Sequence, residues 1–193
     1  MLKKLASYVK EYKKDAILTP IFVVLEVVME VIIPLLMAKI IDVGIQNGDV
    51  HYILEMGALL IVSAILSLTF GMLSGRFAAK ASAGYAKNLR KAMFHKVQDY
   101  SFENIDKFST SSLVTRMTTD VTNVQMAFQM IIRILVRGPI MMIFALLMVM
   151  SISMKLSAVF FVAIPVLGAI LFYIAIKAHP NFEKVFKKYD KLN

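Results

Sequence analysis

The 193-residue chain contains no cysteine. That excludes disulfides, thiolate metal sites and a cysteine nucleophile, and it leaves the compartment open. Charge is scarce: Asp, Glu, Lys and Arg make up 18% of the residues, and only 13 acidic side chains stand against 22 basic ones. His51, His95 and His179 are scattered, so no metal-ligand spacing is present, and no Ser/His/Asp arrangement stands out. No G-x-x-x-x-G-K-[ST] stretch occurs, so this chain carries no phosphate-binding loop of that kind. Helix breakers are also sparse. The 58 residues from Arg76 to Arg133 contain no proline and one glycine, Gly84, so little there would interrupt a helix.

What is present is apolar. Hydrophobic residues make up 59% of the chain and the mean hydropathy is +0.70, more than a soluble domain of this size can bury. Four stretches, Ala16 to Ala38, Ile53 to Gly75, Ile134 to Met150 and Leu156 to Ile176, have or approach the roughly 20 residues that cross about 30 Å of hydrocarbon. The chain therefore predicts an all-α membrane protein. With their polar helical extensions the four helices cover about 16–43, 50–104, 119–151 and 156–193. Gly44 to Asp49 and Ser151 to Lys155 are tight connections. The polar sequence between the second and third stretches is far longer than a turn needs, and predicts rods that project into the cytoplasm.

With a cytoplasmic N-terminus, 20 of the 22 basic residues fall inside and only Lys39 and Lys155 outside, the positive-inside bias of a multi-pass chain. The formal net charge of +9 then reflects topology and not a nucleic-acid surface. The first stretch is too long for a signal peptide, carries Glu26 and Glu30, and lacks a cleavage pattern. Residues 1–15 read as an interfacial elbow helix, with Leu2, Leu5, Val9 and Tyr12 on one side and Lys3, Lys4, Lys10, Lys13 and Lys14 mostly on the other; an ordinary basic flank is the alternative. Pro20 is expected in the first turn of the first span, where its missing N–H does little harm. No cap, Gly or Pro terminates the last helix in its amphipathic tail NFEKVFKKYDKLN, residues 181–193, which reads as a piece of something longer.

Two carboxylates, Glu26 and Glu30, lie one turn apart inside the first span, where charge is costly. Two readings fit them: a translocation path that attracts cationic cargo or carries protons, or bonds to neighbouring helices that fix packing. Arg133 and Arg137 fall near the inner edge of the third span and read as snorkelling to headgroups. Gly71, Gly75, Ala79 and Ala83 recur every fourth residue, a small-residue stripe that lets another helix approach. Pro34, Pro139 and Pro165 would loosen spans one, three and four. Methionine and phenylalanine, such as Met126, Phe128, Met130, Met141, Met142 and Phe144, could line a pliable pocket, although packing and lipid contact are the commoner uses.

At Ser111 to Gln125, SSLVTRMTTDVTNVQ, the chain resembles the first intracellular loop of ATP-binding cassette (ABC) exporters. Asp106-Lys107, Ser111-Ser112, Leu113-Val114, Thr115-Arg116 and Thr119-Asp120-Val121 follow that loop's order. The common form of the family has Gly-Glu where Ser111-Ser112 stands, and the departure resembles the bacterial multidrug-type branch that often works as heterodimers. The resemblance implies a type-1 exporter transmembrane domain with long helices extending into the cytoplasm. This chain would hold four of six spans, and the nucleotide-binding domain would lie elsewhere. ATP and Mg2+ would bind outside this chain, and none within it. The implied partners are a second exporter half, the nucleotide-binding domains and membrane lipid, with no nucleic acid, in the plasma (inner) membrane.

The same resemblance assigns coupling to a short crosswise helix at about 111–118. Ser111, Ser112, Leu113, Val114, Thr115, Arg116 and Met117 would dock on the ATPase, with Leu113, Val114 and Met117 entering its groove and Arg116 holding the bend through Asp120. A connector touching lipid headgroups is the alternative for that segment. For the whole chain, the implied activity is export of hydrophobic or amphipathic substrates by alternating access. The alternatives are a proton-coupled secondary transporter using Glu26 and Glu30, which predicts discontinuous spans, or a membrane scaffold without transport.

Overall fold

A computed structural model describes residues 7–99 and 110–189, with 110, 156, 175 and 178–189 described by backbone alone. Leu2, Leu5, Asp106 and Lys107, named above, lie outside the described residues. Every described element is helical, and four helices are long and apolar enough to cross a membrane, so the chain is an all-α membrane protein. It divides into two compact units after Phe144.

The described residues of the first unit open with a 3-10 helix, Ser7–Tyr12, broken at Lys10 by a backbone at φ 41°, ψ −115°. It leads directly into α1 (Lys13–Lys39), which continues as a π-helix, Ile40–Ile45. Because α1 starts at Lys13, Pro20 stands inside the helix along with Pro34, not in the first turn. The turn that follows is narrower than the expected Gly44 to Asp49. Gly48 takes φ 64°, its N–H bonds the Ile45 carbonyl at 3.2 Å, and the Asp49 N–H bonds the Gly44 carbonyl at 2.9 Å. This pair of bonds closes the helix end with glycine in the left-handed conformation. Asp49 then caps α2 (Val50–Gln98) by accepting from the Tyr52 N–H at 3.0 Å. Gly44 lies inside the helix, buried, where Ile53 packs against it.

The 49 residues of α2 span roughly 70 Å, and α1 runs antiparallel along it. Phe22 of α1 stacks on Phe77 at 5.4 Å between centroids and tilts against Phe70 at 6.2 Å. The buried face of α1 is Asp15, Thr19, Val23, Glu26 and Val27; that of α2 includes Ser74, Ala78, Ala81, Ser82, Tyr85, Ala86 and Leu89. The seam thus departs from the Gly71, Gly75, Ala79, Ala83 stripe: Ala79 and Ala83 are exposed. The reason is helical pitch. A strict four-residue step walks about 40° round the helix each time, whereas alternating steps of four and three, as in Ser74, Ala78, Ala81 and Tyr85, stay on one face.

Beyond the seam, Leu54, Ile61, Ile65, Leu68 and Met72 of α2 are largely exposed. So broad an apolar surface is suited to lipid and not to water.

After the undescribed stretch come α3 (Thr110–Thr115), a π-helix (Arg116–Asp120) and α4 (Val121–Ile152). These form one uninterrupted helical run, with Thr115 and Val121 both in ordinary helical conformation. From Thr110 onward the backbone is helical, with one wide turn at Arg116–Asp120; residues 104–109, where the expected turning point begins, lie outside the described residues. Nothing from Thr110 to Arg137 forces a break: the run has no Gly or Pro. The Thr115, Thr118 and Thr122 hydroxyls donate back to the Ser111, Val114 and Thr118 carbonyls at 3.0, 2.8 and 2.8 Å, which satisfies them without leaving the helix.

In the second unit, Ser153 alone separates α4 from α5 (Met154–Tyr189). The Ser157 hydroxyl bonds the Ser153 carbonyl at 2.9 Å.

Candidate functional site

Two features of the first unit concentrate polar chemistry: a charge cluster between α1, α2 and α4, and the packed end of α2 near the elbow.

In the charge cluster, Arg137 of α4 donates from Nη1 to Glu26 Oε1 at 2.8 Å and from Nη2 to Glu30 Oε1 and Oε2 at 2.6 and 2.8 Å. Residues i and i+4 of α1 present both carboxylates on one face, and one guanidinium spans them. The Glu26 side chain is 9% exposed, Glu30 30% and Arg137 38%. Ser74 of α2 bonds its hydroxyl to the Gly71 carbonyl at 2.9 Å and stands 3.4 Å from Glu26 Oε2. Gly71 makes the carboxylate's position possible: a Cβ there would lie 3.1 Å from Glu26 Oε1.

The cluster lies within the apolar stretches of α1, α2 and α4. Asp15 and Lys80 pair at 3.1 Å across the same two helices. From that level Glu26 lies eleven residues further along α1, about 16 Å, and Gly71 nine residues back along α2, about 14 Å. Snorkelling does not describe Arg137, because its guanidinium is bound to two carboxylates of α1.

Arg133, one turn from Arg137, behaves differently. It makes no ion pair among the described residues, and its Nη1 would stand 3.5 Å from a Cβ placed on Gly75. It lines two hollows. One, of about 580 Å³, also has Glu26, Glu30, Ile33, Ser67 and Met72 on its wall. The other, of about 380 Å³, is lined by Met126, Gln129, Met130, Arg133, Ile134 and Arg137. The sequence placed Glu26 and Glu30 together but missed Arg137 as their partner. The signal was present, since two arginines four apart on one apolar helix match two glutamates four apart on another.

At the elbow end, Val9, Tyr85, Ala86, Leu89 and Val121 form a buried apolar core, with Tyr8, Tyr12 and Phe128 packed against it. Val9 and Tyr12, the described part of the elbow's apolar side, therefore pack on α2. The Asn88 amide donates to the Tyr8 carbonyl at 3.0 Å and approaches Glu11 Oε2 at 3.4 Å. The Glu11 backbone N–H first, and then Asn88, Lys87 and Lys10, hold that carboxylate below its ordinary range against the opposing effect of desolvation. Tyr85 stacks on Phe128 of α4 at 4.6 Å, Ser82 reaches Gln129 at 3.3 Å, and Arg90 reaches Thr122 at 3.2 Å. Together these contacts tie α2 to α4.

The loop residues singled out in the sequence divide accordingly. Leu113, Arg116 and Met117 line a hollow of about 110 Å³ with Met93, Lys96 and Val97 of α2. Arg116 and Asp120 also border a second, of about 290 Å³, with Leu89, Met93, Val121 and Val124. Ser111, Val114 and Thr115 are exposed and Ser112 is half-buried. Leu113 and Met117 thus face their own chain, and among the apolar three only Val114 points outward.

Residues 16–193 match the ABC transporter transmembrane region. An uncharacterised ABC transporter ATP-binding protein of Bacillus subtilis, YfiB, is 34% identical over all of this chain, which covers 34% of its length. A protein of the same description from Mycobacterium tuberculosis, Rv1273c, is 24% identical over the whole chain and 33% of its own length. The ATP-dependent lipid A-core flippase of Pseudoalteromonas translucida is 27% identical over 88% of this chain and 29% of its own. The chain spans about a third of the length of these relatives. With four membrane-length helices, two of them running on into a polar packed end, and a family match over nearly every residue, the chain belongs to the ABC transporter transmembrane region family.

Proposed function

We propose that this chain forms part of the membrane domain of an ATP-driven exporter that moves hydrophobic or amphipathic molecules by alternating access. Its N-terminus lies in the cytoplasm, in a plasma (inner) membrane. It acts with nucleotide-binding domains, which hold ATP and Mg2+ outside this chain, and with a second exporter half. The Ser111-Ser112 pair favours a non-identical partner, and a multidrug-type cargo range follows from the same resemblance.

The observation that carries the reading is the continuous helix from Thr110 to Ile152, fixed against the far end of the 49-residue α2. Such a pair is stiff enough to carry a push from a soluble ATPase to the membrane core. Domain closure at the tip then becomes a change of helix packing. Ser111 to Asp120 is the coupling segment, with Val114 as its outward contact and Leu113 and Met117 as the bond to α2. The wide turn at Arg116–Asp120 is the place where the rod can yield, since such turns often mark functional positions.

Glu26 and Glu30 act as the bond between α1 and α4. Three hydrogen bonds to one guanidinium weigh against their serving as open cation or proton sites, and the uninterrupted spans weigh against the proton-coupled alternative. Gly71 leaves room for Glu26, and Gly75 for Arg133; Ala79 and Ala83 remain available to helices outside this chain.

The test is Val114→Asp in the assembled transporter. Basal ATP hydrolysis should persist while cargo-stimulated hydrolysis and transport of a fluorescent amphiphile collapse. Unchanged stimulation and transport would remove the coupling role.

A further inference from the structure

We infer that Arg133 is a cargo-reading residue, and that the cargo it reads is an amphiphile with an acidic headgroup. The inference deepens the export reading and rests on it for the fate of the ligand.

Four charged side chains meet where α1 and α4 face each other, and they are not equivalent. Arg137 is fully engaged by Glu26 and Glu30. Arg133 is left without an ionic partner among the described residues, one turn towards the elbow end of the same apolar helix. A guanidinium without an ionic partner on an apolar helix is costly, so an anion brought to it gains more than the same anion gains in water.

The hollows fix which side the anion takes. The wall containing Glu26 and Glu30 repels it. The wall of Met126, Gln129, Met130, Ile134 and Arg137, all on α4, carries no carboxylate of its own; with Arg137 engaged by Glu26 and Glu30, it sets an amide and pliable apolar surface beside the Arg133 guanidinium. The Gln129 side chain, whose oxygen accepts from the Ser82 hydroxyl at 3.3 Å, adds a polar group to the same wall as Arg133. Methionine surfaces adapt to chains of varied shape. The matching ligand has a phosphate or carboxylate at one end and an acyl chain at the other. A cationic amphiphile meets the Arg133 guanidinium there, so the charge preference is the reverse of the one Glu26 and Glu30 invite in sequence.

The experiment uses the assembled transporter in neutral-lipid nanodiscs, with lysophosphatidic acid and a monoacylglycerol of the same chain as probes. The wild type should bind the acid more tightly by about tenfold or more, the worth of one charge-assisted hydrogen bond. Arg133→Gln should erase that preference, and Arg133→Lys should keep most of it. In proteoliposomes, Mg-ATP should move fluorescent lysophosphatidic acid. Equal binding of the two probes, or a preference that survives in Arg133→Gln, overturns the inference. Arg133-dependent binding with no ATP-driven movement makes the ligand a resident lipid and overturns the cargo assignment. Movement of the neutral probe but not the acid sinks this inference while export stands. Movement of neither, with ATP hydrolysis intact, sinks the export reading as well.

Discussion

Arg137 Nη2 donates to both carboxylate oxygens of Glu30, at 2.6 and 2.8 Å, across 107 residues of sequence. The bond joins α1 to α4, and Nη1 of the same guanidinium holds Glu26. Charge that would be prohibitive singly in a membrane is more tolerable when paired, and the pairing ties the two helices together.

Replacing Arg137 with glutamine leaves two carboxylates facing each other without their counter-charge. Losing one partner of a buried pair costs about 3 kcal/mol or more, so the thermal midpoint of Arg137→Gln in detergent should fall clearly. Adding Glu26→Gln and Glu30→Gln should recover most of the loss, because amides need no counter-charge. A single variant as stable as the wild type would mean that the bond does not hold the helices.

Gly84 sits under the ring of Tyr12, and a Cβ there would collide with the ring atoms. On helix propensity alone, alanine would gain about 1 kcal/mol. The collision should reverse the sign and leave Gly84→Ala destabilised by about 1–2 kcal/mol. In the Tyr12→Ala background the same change should instead stabilise. The check is a double-mutant cycle on thermal midpoints; additive effects would show that ring and glycine are not in contact.

Lys10 holds φ 41°, ψ −115°, a conformation that costs a side-chain-bearing residue about 1–3 kcal/mol. Lys10→Gly should therefore stabilise the elbow by about 1 kcal/mol, with slower hydrogen exchange at Ser7–Tyr12. Faster exchange would mean that the kink is not strained.

Val114 and Met117 should separate coupling from stability. Val114 is 56% exposed, so Val114→Asp should change stability by no more than about 0.5 kcal/mol. Met117→Asp places a carboxylate in the hollow beside Met93 and Val97 and should lower the thermal midpoint as well. Equal losses of stability would erase the distinction.

Much of the architecture is legible in the sequence because it follows from local chemistry. Four apolar stretches of bilayer length, an unbroken polar run between the second and third, and glycine at the turn after α1 set the helix count, their rough ends and the α1–α2 hairpin. Motif order from Ser111 to Val121 pointed to the family, and the spacing of Glu26 and Glu30 put two carboxylates on one face.

What only the tertiary structure decided was which faces meet. Arg137 pairs with Glu26 and Glu30 because helices distant in sequence cross at one depth, and no local pattern encodes that depth. The small-residue seam follows Ser74, Ala78 and Ala81 because helical pitch selects the contact face, and Leu113 and Met117 turn inward because α2 offers them an apolar wall. The sequence determined that this chain crosses a membrane; the packing decided which of its charges are bound and left Arg133 facing the hollows.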